Sequence, residues 1–120
     1  LIINTLKECR HLPLRGVFHA FSGSTETYRE LQKLGDWYVG IGGVLTYKKA
    51  SIAETVRNIP LERILLETDS PYLTPVPYRG KRNESSYIPH IAAKLAEQTD
   101  RSMEEIAETT TGNARKLFGI

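Results

Sequence analysis

The chain has 120 residues, of which 40% are hydrophobic and 25% are charged, a composition that excludes disordered, collagen-like and disulfide-scaffold proteins. A formal net charge of +2 is too small to predict a nucleic-acid-binding surface by itself. Cys9 is the single cysteine, which excludes an internal disulfide and agrees with a cytoplasmic location. Residues 1–10 lack the features of a secretory signal, and no apolar run is long enough to cross a bilayer, so we expect no membrane partner.

The chain opens on what the spacing predicts to be the end of an amphipathic helix. Apolar residues recur at helical intervals from Leu1 to Cys9, and the pattern stops near Pro13. The first residue is Leu1 and not a methionine. We therefore expect the sequence to be a fragment that lacks its upstream part.

Strands and helices are then predicted to alternate. Residues 16–21 (GVFHAF) form an apolar run typical of a strand, and the small polar residues 22–25 supply a turn and a helix N-cap. The following helix is predicted to end at Gly35, where residues 37–44 return to strand character. A second helix, over residues 52–59, is predicted to end before Pro60.

Residues 64–66 (ILL) are uniformly apolar, as expected for a parallel strand covered on both faces, and this strand is predicted to run into Glu67, Thr68 and Asp69. The prolines that follow predict an ordered loop over residues 70–79. Two helices are predicted after it, one over residues 88–98 and one that begins at Ser102, with Glu105 completing a capping box. This alternation favours βαβ units and a parallel α/β sheet. Spacing alone allows either an open doubly wound sheet or the last part of a (β/α)₈ barrel.

Two residues at predicted strand ends are candidates for chemistry. His19 and Asp69 lie at the carboxyl ends of their strands, where parallel α/β folds build active sites. Imidazole and carboxylate groups are suitable ligands for Zn²⁺ or Mn²⁺, and carboxylates also suit Mg²⁺. Spacing alone nevertheless favours the structural alternative, in which the histidine is hydrogen-bonded and the aspartate caps a turn.

Glu67 is unusual because a carboxylate beside an apolar strand is costly unless it is paired or lies near a cation. One interpretation is that it supports a metal ligand. The other is an ordinary ion pair, for example with Arg63. Glycines at 40, 42 and 43 permit close approach of a ligand, although a turn at the strand edge explains them equally well.

Four segments together resemble the TatD family of metal-dependent deoxyribonucleases. They are residues 16–23 (GVFHAFSG), 65–73 (LLETDSPYL), 78–84 (YRGKRNE) and 113–118 (NARKLF), and they occur in the order and spacing of the family. The resemblance implies a (β/α)₈ TIM barrel of the metal-dependent hydrolase type. Residues 1–120 are then the C-terminal portion of a single domain, with about three parallel strands and flanking helices.

The same resemblance implies a metal site that this chain only partly contains. His19 and Asp69 match two of the family's metal ligands, and Glu67 matches the glutamate beside that aspartate. The family's N-terminal HxH pair, a further glutamate and a further histidine do not occur in this sequence. We interpret His11 and His90 as surface or packing residues. The complete site is expected to hold divalent ions, Mg, Mn or Zn, and two of them.

The expected reaction is hydrolysis of a phosphodiester, with Asp69 as general base and DNA as substrate, including cleavage from an end. Arg79, Lys81 and Arg82 are expected to contact phosphate and Tyr72 to stack on a base, although three basic residues in a loop also fit a merely solvated surface. Two alternatives stay open, a metal-dependent hydrolase of another ester or an amide, and a non-catalytic fragment. The isolated chain is expected to be inactive and, because its strand edges are open, to self-associate.

Overall fold

A computed structural model describes residues 2–9, 14–47, 50–68 and 72–119 of the chain. Three strands, β1 (Arg15–Phe18), β2 (Asp36–Ile41) and β3 (Ile64–Leu66), form one parallel sheet in the order β1-β2-β3. Phe18 is paired with Val39, and Ile41 is paired with Leu66. The carboxyl ends of the three strands therefore lie along one edge of the sheet.

Five helices accompany the sheet in the part of the chain that the structure describes. They are α1 (Ile2–Glu8), α2 (Thr25–Leu34), α3 (Ile52–Thr55), α4 (Ile88–Thr99) and α5 (Met103–Phe118). Short 3₁₀ turns occupy Gly43–Thr46, Val56–Asn58, Leu61–Arg63 and Ser85–Tyr87. Within the described ranges, no helix combines the length and apolar character that a membrane span requires.

The helix starts follow the predicted caps. Ser24 accepts a hydrogen bond from the Thr27 amide at 3.1 Å, and Ser102 accepts one from the Glu105 amide at 3.1 Å. These bonds satisfy amide groups that the first turn of a helix leaves unpaired. The carboxylate of Glu105 does not complete the predicted capping box and pairs with Arg101 at 2.5 Å.

Both of the first two strands are shorter than predicted. β1 ends at Phe18 because Ala20, with φ of 49°, turns the backbone out of the extended conformation. β2 ends at Ile41, after which Gly43–Thr46 forms a 3₁₀ turn in place of the predicted continuation to residue 44. The predicted start of the third strand at Ile64 is confirmed, but β3 ends at Leu66 and does not continue into Glu67 and Thr68 as predicted.

The core lies between the sheet and the last two long helices. Val39, Ile41 and Ile64 of the sheet pack with Ile91 of α4 and Ile106 of α5, and each is at most 1% exposed. Each such side chain contributes about 1.5–3 kcal/mol when it is withdrawn from water. This packing fixes α4 and α5 against the strands whose ends carry the candidate site.

One polar side chain fastens α5 to the beginning of β3. Asn113 is 3% exposed and its side-chain amide donates to the carbonyls of Leu61 and Ile64, both at 2.8 Å. A buried amide is stable only when its hydrogen bonds are made, and these two bonds also fix the point at which β3 begins.

Replacing Asn113 by alanine should lower the free energy of unfolding by about 1–3 kcal/mol, because both donors to buried carbonyls are lost. The measurement is the urea midpoint of the chain, followed by circular dichroism. Glu108→Ala is the matched control: Glu108 lies on the same helix but is exposed, so its loss should change stability by less than about 0.5 kcal/mol. Equal midpoints for the two variants would contradict the proposed anchoring.

Candidate metal centre at the strand ends

The candidate site is built where the three strands end. His19 directly follows β1, and Glu67 directly follows β3. Ala20 takes a left-handed backbone conformation, with φ of 49°, which costs an alanine about 1–2 kcal/mol. Its amide donates to Oε1 of Glu67, so the carboxylate after the third strand stabilises the turn after the first. A strained turn of this kind persists only where surrounding contacts hold it.

The same carboxylate orients His19. Nδ1 of His19 lies 2.6 Å from Oε2 of Glu67, whose side chain is 15% exposed, whereas the imidazole is 74% exposed. An ionised carboxylate only accepts hydrogen bonds, so Nδ1 is the donor in this pair, and in the neutral imidazole the lone pair is then on Nε2. Metal-binding histidines are held in this way by an outer carboxylate. The arrangement suits Nε2 of His19 as a metal ligand.

Gly40, in the middle strand, makes room for this carboxylate. A Cβ atom at position 40 would lie 2.2 Å from Oε2 of Glu67, far inside any allowed contact. At position 40 the glycine therefore permits the close approach of a side chain of the protein itself, the carboxylate of Glu67. At position 43 a Cβ would lie 2.0 Å from the carbonyl oxygen of Leu73, so Gly43 permits the loop after β3 to pack against the end of β2.

The alternative partner for Glu67, Arg63, is engaged elsewhere. The guanidinium of Arg63 pairs with Asp36 and lies over the ring of Tyr38, 5.1 Å from its centroid. Of the two interpretations of Glu67, the ordinary ion pair with Arg63 is wrong, and the contact that the structure shows is with His19.

Asp69 lies outside the described residues, so its role as ligand and general base stays a prediction. Asn83, a buried residue that the sequence analysis did not identify, bonds to the described residues Thr68 and Tyr72. Asn83 is 2% exposed, and its Nδ2 donates to Oγ1 of Thr68 at 2.9 Å and to the carbonyl of Tyr72 at 2.7 Å. The sequence signal for Asn83 was its place in the YRGKRNE segment.

The described residues do not bring together a complete metal site. Within residues 2–9, 14–47, 50–68 and 72–119, no three His, Cys, Asp or Glu side chains come together in a group that fits a metal ion. A structural or catalytic zinc site needs at least three protein ligands. His19 fits such a site as one oriented ligand, and the remaining ligands must come from other residues.

The loop over residues 72–84 carries the predicted substrate-binding side chains, and all four are exposed. Tyr72 is 73% exposed. The guanidinium of Arg79 lies 4.0 Å from the centroid of the Tyr47 ring, a cation–π contact, and Nζ of Lys81 lies 5.9 Å from that of Tyr78. Arg82 is exposed as well. Contact of these residues with phosphate or a base stays a prediction.

The backbone of this loop is attached to the end of β2. Oγ1 of Thr46 accepts from the Val76 amide and donates to the Gly43 carbonyl, both at 2.7 Å. Within the loop, Thr74 donates to the Lys81 carbonyl at 2.5 Å. The loop thus has an anchored backbone and exposed basic side chains.

The aromatic residues beside this loop account for one of the remaining histidines. Tyr78 stacks on Tyr87 at 4.4 Å, and His90 packs edge-on against Tyr78 at 5.1 Å. This is the packing role expected for His90. His11 lies outside the described residues.

Two cavities border the strand ends. A cavity of about 250 Å³ is enclosed by the turn after β1, the glycines after β2 and Leu73. A larger apolar groove of about 540 Å³ has His19 and Glu67 at one end and extends along β3 to α4 and α5, where Phe118 is 61% exposed. Among the described strands β3 pairs only with β2, so its other edge is open beside this groove. Self-association through such an edge stays a prediction.

Comparison with known proteins identifies relatives along the whole chain. The family model described as TatD related DNase matches residues 1–119. YabD of Bacillus subtilis strain 168, described as an uncharacterized metal-dependent hydrolase, is 45% identical over 99% of this chain and 47% of its own length. YcfH of Escherichia coli K12, described in the same words, is 39% identical over 96% of this chain and 43% of its own length. The chain therefore spans about half the length of these relatives.

Solved structures show the same similarity in three dimensions. The TatD homologue YjjV of Escherichia coli K12 superposes with a TM-score of 0.86 at 28% identity, over 98% of this chain and 45% of that protein. A TatD family hydrolase from Entamoeba histolytica superposes with a TM-score of 0.80 at 25% identity, over 95% of this chain and 45% of that protein. The predicted fold, part of a TIM barrel of the metal-dependent hydrolase type, is confirmed. Since the family model covers nearly every residue and the fold agrees, the chain belongs to the TatD family.

Proposed function

We propose that the whole protein to which these strands belong is a divalent-metal-dependent hydrolase that cleaves phosphodiester bonds in DNA, including from an end. The observation that carries the proposal is the 2.6 Å contact between Nδ1 of His19 and Glu67, which prepares one imidazole for a metal at the strand ends. Membership of a family described as related to deoxyribonucleases supports the choice of substrate. The single Cys9 agrees with action in the cytoplasm.

A phosphodiester is negatively charged and poorly electrophilic, and its hydrolysis requires charge neutralisation and an activated water. Bound Mg, Mn or Zn ions, two in the complete site, would supply positive charge and Lewis acidity. Nε2 of His19 and the carboxylate of Asp69 are the groups of this chain that would hold them. Glu67 accepts the hydrogen bond from Nδ1 of His19, so that in the neutral imidazole Nε2 carries the lone pair that a metal requires.

Asp69 is the proposed general base, which accepts the proton of the attacking water. Its place in the sequence supports this choice, because Asp69 follows Glu67 by two residues and the carboxylate of Glu67 contacts His19.

DNA binding is proposed for the loop over residues 72–84. Its backbone is anchored by hydrogen bonds, whereas Lys81 and Arg82 are exposed and available to phosphate oxygens. Arg79 rests on Tyr47 and still has donors at the edge of its guanidinium plane. Tyr72, 73% exposed, provides a face on which an unpaired base stacks.

Asp69→Ala in the whole protein should reduce release of nucleotides from end-labelled single-stranded DNA by at least ~100-fold, because both a ligand and the base are lost. Addition of a chelator to the unsubstituted protein should have the same effect. Glu108→Ala, an exposed change on α5, is the control and should cleave at the normal rate. Equal cleavage by Asp69→Ala, chelated and untreated protein would eliminate the proposed function.

Gly40→Ala and Glu67→Gln should each weaken Mn²⁺ binding by the whole protein about 10–100-fold. The methyl group at position 40 displaces the carboxylate, and the glutamine offers one acceptor where two are used. Titration followed by the electron paramagnetic resonance of free Mn²⁺ measures the affinity. Gly112→Ala is the matched control because a Cβ there meets nothing within 4 Å. Unchanged affinity in both site variants would show that Glu67 does not orient a ligand.

The 120-residue chain alone should bind divalent metal weakly and show no measurable nuclease activity, because its described part offers no group of three ligands. Metal content after dialysis, compared with that of the whole protein, tests this expectation. Tightly held stoichiometric metal, or full activity in the short chain, would contradict it.

A further inference from the structure

We propose that the cavity of about 250 Å³ beside the candidate metal centre binds a base of the DNA substrate, and that Leu73 is the residue that selects for the base. One wall of the cavity is Ala20, which directly follows His19 and whose amide bonds to Glu67. A nucleotide whose phosphate is held at His19 therefore has the cavity within reach of its base. The inference rests on the proposed function and adds a subsite to it.

The size and lining of the cavity suit a single flat ring system. A cavity of about 150 Å³ accepts benzene, so one of about 250 Å³ is large enough for a nucleobase. Ile41, Leu45 and Ile52 of the core line it, and each is at most 3% exposed. Among its described lining residues, Ser22 alone has a polar side chain. Mostly apolar walls with a few polar groups are typical of sites for small ligands.

The walls of the cavity are held in place by contacts within the protein. The Phe21 amide donates to the carbonyl of Gly40 at 2.9 Å, which fixes the turn after β1. On the opposite side, a Cβ atom at Gly43 would lie 2.0 Å from the carbonyl oxygen of Leu73, so the two backbones are in close contact. Thr74, which follows Leu73, is 5% exposed. A cavity with fixed walls loses little entropy when a ligand enters it.

Leu73 is the residue that points to a ligand. Its φ of 53° is left-handed, a conformation that suits glycine or asparagine and is rare for a bulky side chain. The leucine side chain is 41% exposed, so burial in the core does not account for its presence. Ala20, with φ of 49°, lines the same cavity, whereas the third such residue in the described part, Asp100, ends α4. Strained backbone of this kind clusters at ligand-binding sites.

The charges around the cavity favour a nucleotide as the source of the ring. The loop that supplies Leu73 also carries exposed Lys81 and Arg82, which suit phosphate groups on either side of a bound base. Tyr72 precedes Leu73 but is not among the lining residues, so stacking on Tyr72 and entry into the cavity are separate contacts.

The test measures kcat and KM of the whole protein, with Mn²⁺, on two end-labelled single-stranded DNAs of equal length. One carries thymine throughout, and in the other every residue is abasic. Leu73→Asn tolerates the left-handed backbone and removes the apolar wall. We expect KM for the thymine strand to rise about 10-fold, the lower end of what an apolar pocket contributes to selectivity. KM for the abasic strand should change by less than ~2-fold, and kcat on both strands by less than ~3-fold.

Three further variants complete the test. Leu73→Gly, which takes the same backbone conformation without strain, should reproduce the rise in KM and replaces Leu73→Asn if that variant does not fold. Leu73→Met keeps an apolar wall and should retain a normal KM. Asp100→Asn is the matched control, because it places the same side chain at a left-handed residue that does not line the cavity. Urea midpoints should be equal or higher in Leu73→Asn and Leu73→Gly, since strain is relieved.

The outcomes separate this inference from the proposed function. Equal rises in KM on the two strands, or a normal KM in folded Leu73→Asn and Leu73→Gly, would show that the cavity binds no base, while the function stands. The rise should persist in a Tyr72→Ala background, and its disappearance there would assign the effect to stacking on Tyr72 and overturn the inference. If the unsubstituted protein cleaves neither strand, the function fails, and the subsite fails with it.

Discussion

The carboxylate of Glu67 joins the ends of all three strands, and the rest of the site depends on it. A charged group that is 15% exposed needs partners, and it finds them in the Ala20 amide and Nδ1 of His19. To reach them it lies across Gly40, where any larger residue would collide with it. The left-handed turn at Ala20, the glycine in the middle strand and the orientation of the histidine are thus consequences of one buried charge.

The loop after β3 combines an anchored backbone with exposed side chains. Its backbone is held at several points, by Thr46 at the end of β2 and by Asn83 at the end of β3, whereas its basic side chains extend to the surface. An anchored backbone reduces the entropy lost when exposed side chains bind a charged ligand. This division suits the phosphate contact that we propose for the loop.

Among the described strands β3 has one open edge, and an apolar groove lies beside it. The chain matches about half of each relative, and the strand edge and apolar groove lie where the described residues end the sheet. The described part orients His19 through Glu67, but it brings no group of three His, Cys, Asp or Glu side chains together. His19 and Glu67 lie at one end of the groove beside this open edge.

Local chemistry in the sequence was sufficient for the order of strands and helices and for the family, but the helix predicted over residues 52–59 is only α3 (Ile52–Thr55) followed by the 3₁₀ turn Val56–Asn58. Capping serines, helical spacing and the apolar run of β3 act over a few residues, and four motifs in order identified the relatives. It was also sufficient to place His19 at a strand end, although both early strands were predicted too long. Their ends depend on the turn at Ala20 and on the 3₁₀ turn that follows Gly42, which distant contacts stabilise.

Only the tertiary structure determined which side chains contact one another. Glu67 had two possible roles in the sequence, and the fold paired it with His19, 48 residues away, because Arg63 is drawn to Asp36. The roles of Gly40 and Asn83 were not predictable for the same reason. Each depends on one atom that approaches from a different strand or loop, and spacing along the chain contains no information about that approach.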